Sequence, residues 1–267
     1  MISHKSNGVV NFIKVLSHVI FCSAYLNITS ILDIDVGYVM KTDDDMYINV
    51  KNLYSLVSRN TVTNYLVGAQ ICGAKPIRDP HNKWHSPRYM FQGHVYPDYV
   101  SGTGYVMSYS SAVMLYKMSL MVPAFHLEDV YITGILPAKV TEMAAKQVNI
   151  LRASNATKSQ SPLVSIDSNK NIHPVVIKPQ DDHRFSFFLA KDDPCVYHQI
   201  ISSHHLSMNQ IRSMYEKLRK VRLKPEQCSK LKPRELRPYT PGKCFNKQKR
   251  KYPRPISQRM NLVKSMM

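Results

Sequence analysis

The sequence predicts an α/β fold in which acidic residues follow the end of a buried strand. A short apolar run at Tyr38–Met40 is typical of such a strand, and three consecutive carboxylates, Asp43, Asp44 and Asp45, come soon after it. Apolar residues then recur at helical spacing over Val50–Val57, and Tyr65–Ile71 is a second run of strand-forming residues. Ligands of open α/β sheets bind outside the carboxyl ends of the strands, so a ligand site is expected at these acids.

The positive charge of the chain is concentrated near its C-terminal end. The 267 residues carry a formal net charge of +18, and residues 212–267 hold 18 Lys and Arg against 3 Glu. We therefore expect a folded domain over 1–211 and a basic, flexible tail over 212–267. A tail of this composition can bind nucleic acid or an anionic surface, but it lacks aromatic residues spaced for base stacking. We expect no nucleic-acid partner.

Cysteine spacing argues against a zinc site, and hydropathy argues against a membrane-spanning helix. The five cysteines contain no C-x-x-C pair, which argues against zinc, and their odd number and irregular spacing leave the disulfide pairing open. The most apolar early run, Val15–Ile28, is interrupted by His18 and Asn27. It falls short of the roughly 20 apolar residues of a membrane span, so no transmembrane anchor is expected in this sequence.

The first hundred residues divide into a helix, strands and a loop. The apolar spacing from Val9 to Ile20 is compatible with a helical face, and residues 73–98 hold four prolines and read as a loop. Trp84, the only tryptophan, lies in that loop as either a packing anchor or a platform for a ligand. Further on, Ser110 or Ser111 is expected to cap a helix that runs through Met118.

Two later segments carry candidate site residues. In YPDYVSGTGYVMS, Gly102 and Gly104 flank Thr103 and allow the backbone to approach another group closely. In FHLEDVYITGIL, Glu128 and Asp129 would occupy the first turn of a helix. They act there either as plain capping acids or as a base that the helix N-terminus keeps ionised.

The last third of the chain is predicted to be mostly loop, with one clear helix. Residues 154–171 read as a loop, Val175–Ile177 and Phe185–Leu189 as short strands, and Met208–Leu218 as a helix. The pair His204 and His205 precedes that helix. Surface, core and metal-ligating roles are all open to these two histidines.

The acid cluster has two interpretations of its own. If the chain is still extended there, Asp43 and Asp45 point the same way, and their charges repel each other unless a cation lies between them. A divalent metal that takes oxygen ligands could be this cation. The alternative is a solvated acidic turn that binds no metal.

Three blocks together resemble a known family. YVMKTDDDMYINV, YPDYVSGTGYVMS and LEDVYIT occur in the order typical of the β-1,3-galactosyltransferases and β-1,3-N-acetylglucosaminyltransferases, and ISSHHLSMNQIRSMYEKL resembles that family's C-terminal block. The resemblance covers residues 36–218. It implies a Rossmann-like GT-A fold and an inverting transfer of galactose or N-acetylglucosamine from a UDP-sugar to a glycan on a glycoprotein or glycolipid. It also implies Mn²⁺ and a Golgi membrane location on the lumenal side.

The resemblance implies a role for each site residue. Asp43, Asp45 and His204 would hold the metal, with His205 as the alternative histidine, and Asp43 and Asp44 would lie near the nucleotide. Asp129 would be the catalytic base, with Glu128 beside it. The remaining residues would form a loop that lines the sugar or acceptor pocket: Ser101, Gly102, Thr103 and Gly104.

One departure from the family leads to a separate expectation. Members normally have an anchor and over a hundred residues before the acid motif, whereas about 42 residues precede Asp43 here. The domain is therefore expected to be incomplete at its N-terminus, and the Tyr38 strand to lack a covering neighbour. Expressed alone, residues 1–267 are expected to be poorly soluble and inactive. The alternative function is an inactive family member that binds partners through its basic tail.

Overall fold

The computed structural model describes residues 37–60, 63–154, 161–223 and 228–236, together with three short strands between residues 5 and 16. The strands, in chain order, are β1 (Lys5–Ser6), β2 (Val9–Val10), β3 (Ile13–Leu16), β4 (Tyr38–Thr42), β5 (Tyr47–Ile48), β6 (Leu66–Ile71), β7 (Tyr99–Ser108), β8 (Val164–Ile166), β9 (Ile172–Pro174), β10 (Gln180–Asp181) and β11 (Ser202–Ser203). The helices are α1 (Val50–Ser58), α2 (Tyr109–Ser119), α3 (Glu128–Val130), a π-helical turn (Tyr131–Ile135), α4 (Leu136–Ala153), α5 (Pro194–Gln199), α6 (Met208–Leu223) and α7 (Pro233–Leu236).

A mixed five-stranded sheet organises the domain, in the order β10-β6-β7-β4-β3. The long strand β7 runs antiparallel to both of its neighbours, β4 and β6, whereas β3 is parallel to β4 and β10 is parallel to β6. Helices accompany this sheet, which agrees with the predicted α/β class.

Both faces of the sheet are covered by apolar side chains, because residues alternate between the faces along each strand. On one face Val39 and Tyr105 pack with Leu115 of α2 and Leu136 of α4. On the other face Met40 lies in a cluster with residues of α1 and of two later segments, namely Leu53, Val57, Phe185 and Ile201. The alternation places Lys41 on the same face as Val39, toward the helix that begins at Glu128.

A third apolar cluster joins the C-terminal segments to the domain. Met214 and Leu218 of α6 are buried against Tyr47 and Leu206. The expected boundary between residues 211 and 212 therefore falls inside α6, which packs as part of the fold through Met214 and Leu218. The rest of the proposed tail, from residue 237 onward, lies outside the described residues.

The structure contains disulfides, whose pairing the cysteine spacing had left open. Cys195 at the start of α5 is bonded to Cys228, with a Cα–Cα distance of 5.3 Å, and Cys72 is disulfide-bonded as well. The first bridge closes a separation of 33 residues around α6. Such long-range pairing depends on the fold and cannot be read from cysteine spacing.

The expectations for the N-terminal segment are also corrected. The helical face predicted from Val9 to Ile20 is wrong within the described part, where Val9–Val10 and Ile13–Leu16 are strands. The expectation that the Tyr38 strand lacks a neighbour is wrong too, because β4 is flanked by β3 and β7. All five residues of β4 are buried.

Several local predictions differ in detail from the structure. The cap of α2 is Ser108, whose side chain accepts a hydrogen bond from Ser111 N, rather than Ser110 or Ser111. The predicted loop 154–171 contains β8, which pairs with β9 in a hairpin. Strands do not form at Val175–Ile177 or Phe185–Leu189, although Phe185 makes a single bridge to Ser202. Within the described residues, no helix combines the length and apolar character needed to cross a bilayer.

Candidate active site

The acid cluster lies in a turn at the end of β4. Asp43 N donates to Thr103 O (3.1 Å), which extends the β4–β7 pairing by one residue, and Asp44 and Asp45 then turn away. The premise of an extended chain at Asp43–Asp45 is therefore wrong. The carboxylates of Asp43 and Asp45 nevertheless approach the same histidine.

That histidine is His204, which follows β11. Its Nε2 lies 3.0 Å from Asp45 Oδ1 and 3.9 Å from Asp43 Oδ2, and its side chain is only 13% exposed. Strand β11 pairs with β5, which begins two residues after Asp45, so this pairing brings the two segments together. Of the three residues predicted to form one site, Asp45 and His204 thus lie within the reach of a single ion, and Asp43 approaches the same histidine less closely.

His205 is the more exposed of the two histidines. It has a positive φ of 63°, and its Nδ1 lies 3.6 Å from Asp45 Oδ2. One ligand atom each from Asp45, His204 and His205 fall within 4.8 Å of one another. Both histidines therefore stay open as ligands, with His204 closer to the carboxylates and better buried.

The surroundings of His204 favour the neutral imidazole. Burial lowers its pKa, and the neighbouring His205 lowers it further, against the opposing pull of Asp45. Nδ1 lies 3.3 Å from Phe187 O, a carbonyl that can only accept, so Nδ1 is the protonated nitrogen. The lone pair of Nε2 then faces a carboxylate oxygen at 3.0 Å. Two acceptors at that distance require a proton or a metal cation between them.

The geometry and chemistry of this pair fit a divalent metal. Adjacent ligands of an octahedral ion bound at about 2.1 Å lie about 3 Å apart, which is the separation of Asp45 Oδ1 and His204 Nε2. Carboxylate oxygen together with imidazole nitrogen suits Mn²⁺. The hydrogen bond from His204 Nδ1 to the carbonyl of Phe187 fixes the tautomer and the orientation of the imidazole.

The predicted pocket residues Ser101–Gly104 lie within strand β7 rather than in a loop. Ser101 and Gly104 are buried, whereas Gly102 and Thr103 are partly exposed. The backbone of Gly102 lies so close to Asp129 that a Cβ at this position would be 3.1 Å from Asp129 Cβ. Asp44 is exposed in the turn that follows β4.

Glu128 and Asp129 occupy the first turn of a helix, as predicted. Glu128 accepts a hydrogen bond from the hydroxyl of Tyr105 and lies 3.9 Å from Lys41 Nζ. Asp129 accepts hydrogen bonds from Gly102 N (3.2 Å) and Val130 N (2.8 Å). Both carboxylates are thus tied to β7, the strand that pairs with the acid-bearing strand β4.

Burial opposes the effect that the helix N-terminus was expected to have on these two acids. Burial raises the pKa of Glu128 from 4.5 to about 7, against the lowering effects of the Tyr105 hydroxyl and Lys41. Burial raises the pKa of Asp129 as well, against its backbone hydrogen bonds. A helix terminus contributes about 0.3–1 kcal/mol, whereas the shift of Glu128 corresponds to about 3 kcal/mol, so desolvation prevails.

The turn after Asp129 is π-helical and fastens these acids to β7. Val100 N donates to Thr133 Oγ1 (3.0 Å), and the Thr133 hydroxyl donates to Asp129 O. Gly134 lies so close to Tyr99 that a Cβ would meet its Cβ at 3.0 Å. Turns of this kind recur at functional sites, where they redirect side chains.

Lys41 is the site residue that the sequence analysis missed. Its Nζ lies 2.6 Å from Asp43 Oδ1 and 3.9 Å from Glu128 Oε2, and it donates to Gly102 O. Its side chain is only 8% exposed. Lys41 and Asp43 are two apart on an extended strand and so share a face, which is a signal that the sequence does carry.

We predict that Glu128→Gln stabilises the fold at high pH. Between about pH 4.5 and about pH 7 the folded state holds a proton on Glu128 that the unfolded chain releases, so stability falls as the pH rises through this window. The variant should exceed the parent by up to about 3 kcal/mol near pH 8 and match it near pH 4. Urea unfolding at both pH values measures this. Glu142→Gln, at an exposed carboxylate, should give no such gain, and a gain for Glu128→Gln that does not change with pH would contradict the prediction.

We predict that Lys41→Met raises the pKa of Glu128 above about 7, because Lys41 is a nearby cation that favours the ionised carboxylate. A carbon NMR titration of the glutamate carboxyl groups measures the change. Lys139→Met is the matched control, since Lys139 pairs with the exposed Glu142 instead. An unshifted Glu128 resonance in the Lys41 variant would show that the two charges are not coupled.

Comparison with known proteins supports the resemblance from the sequence. Residues 24–148 match the family model described as Galactosyltransferase. Beta-1,3-galactosyltransferase 1 of Homo sapiens and of Mus musculus are each 45% identical over 98 residues, which is 36% of this chain and 30% of the relative. Beta-1,3-galactosyltransferase 2 of Homo sapiens is 39% identical over 108 residues, 39% of this chain and 25% of the relative. The matched stretch is therefore less than a third of each relative's length. Over residues 24–148 this chain is similar to the galactosyltransferases, a family of glycosyltransferase enzymes, and the relatives named above are β-1,3-galactosyltransferases.

Proposed function

We propose that this protein transfers a hexosyl group from a UDP-sugar to a hydroxyl of a glycan acceptor, forming a β-1,3 linkage with inversion. The observation that supports this most is that two kinds of carboxylate lie close together around Lys41. Asp43 and Asp45 stand beside His204, and the buried pair Glu128 and Asp129 lies across Lys41 from them. The names of the relatives favour galactose over N-acetylglucosamine as the transferred sugar.

Mn²⁺ would be held by Asp45 and His204, with Asp43 beside them. When bound, the ion neutralises the charge that develops on the departing diphosphate. The pairing of Asp43 with Lys41 leaves its second oxygen facing His204, so Asp43 contributes to this side of the site without losing its lysine partner. Asp44 and the partly exposed Gly102 and Thr103 are the proposed groups for the nucleotide and the sugar.

Asp129 is the proposed base. Inversion at the sugar carbon requires the acceptor hydroxyl to attack from the face opposite to UDP and to lose its proton as it does so. Asp129 is held by Gly102 N and Val130 N, and each carboxylate oxygen keeps a further lone pair for that proton. Glu128 lies beside it with a pKa of about 7 and is the alternative base.

The acceptor would be a glycan of a glycoprotein or glycolipid. The resemblance supports a location at the Golgi membrane on its lumenal side, where this acceptor class is processed. The disulfide between Cys195 and Cys228 is consistent with an oxidising compartment of that kind.

We predict that Asp45→Ala abolishes Mn²⁺-dependent binding of UDP, because it removes the carboxylate nearest to His204. Titration calorimetry with UDP, in the presence and absence of Mn²⁺, measures the effect. Asp192→Ala changes an exposed acid that pairs with Lys217 and serves as the control. If the parent chain binds no UDP with Mn²⁺, a binding protein acting through its basic tail becomes the better proposal.

We predict that Asp129→Asn lowers the rate of sugar transfer by about 10²–10⁴-fold, the usual contribution of a positioned general base. The amide keeps the shape of the side chain but cannot take up the acceptor's proton. Transfer from UDP-galactose is the measurement, and UDP binding should persist. Near-normal transfer would exclude Asp129 as the base, and Glu128→Gln would then test the neighbouring carboxylate.

A further inference from the structure

The loop before β7 exposes two large aromatic side chains. Trp84 is 44% exposed and Tyr89 is 84% exposed, in a segment whose other exposed apolar residues are Met90 and Val95. A packing anchor would be buried, so the exposure of Trp84 favours the ligand-platform interpretation. We propose that Trp84 and Tyr89 form an acceptor platform, a surface on which a sugar ring of the acceptor glycan stacks. This proposal rests on the transferase function above.

The backbone that carries the platform is held in place by many hydrogen bonds. Arg78 donates to three carbonyls of the loop, those of Ser86, Phe91 and Gly93. Trp84 N donates to the Asn82 side chain at 2.9 Å. An aromatic ring on a fixed backbone loses little conformational freedom when a ligand stacks on it.

The loop also lies beside the segment that leads to the proposed base. His85, the residue after Trp84, has its carbonyl 2.7 Å from His126 Nε2. The ring of Phe125 packs against that of Phe91 with their centroids 6.0 Å apart. Residues 125 and 126 come directly before the turn that carries Glu128 and Asp129. A glycan whose reacting hydroxyl reaches Asp129 would therefore extend toward this loop.

The rings present the chemistry that sugar rings select. An aromatic face carries partial negative charge and attracts the polarised C–H groups on one side of a pyranose. The Trp84 ring already attracts the Lys83 ammonium, which lies 4.4 Å from its centroid. Four exposed apolar side chains in one short segment also exceed the scattered single residues of an ordinary surface.

The single tryptophan makes the platform directly observable. Trp84 is the only tryptophan of the 267 residues. Fluorescence measured with selective excitation of tryptophan therefore reports on this ring alone. Titration with methyl β-galactoside and with methyl β-N-acetylglucosaminide should give a saturable change for at least one of them. Tyr89→Ala should weaken that binding by about 3–10-fold, the range expected for one aromatic contact. Ile150→Ala, at a 61% exposed apolar residue of α4, should leave it unchanged.

The same samples are titrated with UDP and Mn²⁺, so that failure of the acceptor platform can be distinguished from failure of the proposed transferase function. UDP binding without a response to either glycoside would overturn the platform and leave the transferase. Glycoside binding without UDP binding would overturn the transferase and leave a sugar-binding surface. In transfer assays Trp84→Ala should raise the acceptor KM and leave kcat and UDP binding unchanged. A fluorescence change that follows protein concentration instead of glycoside would assign the surface to a second copy of the chain and overturn the proposal.

Discussion

The candidate site depends on the ion pairs and the hydrogen bond made by the buried ammonium of Lys41. Its Nζ lies between Asp43 on the exposed side and Glu128 on the interior side, with Gly102 O as a third partner. A lysine that is only 8% exposed must be compensated by charge and hydrogen bonds, because an isolated buried cation is costly. The four acids of the site repel one another in turn. Lys41 thus allows two groups of carboxylates to stand close together in one fold.

The sheet pairing explains why these groups meet. In the antiparallel β4–β7 ladder, Lys41 lies opposite Tyr105 and Thr42 lies opposite Gly104. Lys41 therefore reaches Gly102 and Glu128 across one strand, and the Tyr105 hydroxyl donates a hydrogen bond to Glu128. Hydrogen bonds from Gly102 N to Asp129 and from Val100 N to Thr133 hold the helical segment that begins at Glu128 against the same strand, β7. Strand β7 is the shared support of both carboxylate groups.

Local periodicity was sufficient to predict the elements that bury one clear face. The strands at Tyr38 and Leu66 and the helices α1 and α6 were readable because their apolar spacing matches their packing. The Ser101–Gly104 segment was misread as a loop, since its two glycines suggest a turn, whereas pairing with strands on both sides keeps it extended. The Cys195–Cys228 bond and the approach of His204 to Asp45 depend on tertiary pairing that no spacing encodes.

The roles within the site follow from environment more than from residue type. Asp43 and Asp45 have side chains that are 30% and 42% exposed, where a hydrated cation can reach them. Glu128 is 14% exposed, and its pKa of about 7 lets a proton be taken up or released near neutral pH. Carboxylates separated in this way by burial are suited to different tasks, the outer group to an ion and the inner group to a proton. Because Lys41 contacts both groups, a change of charge on either side is felt by the other, so metal binding and proton transfer would be linked through this one side chain.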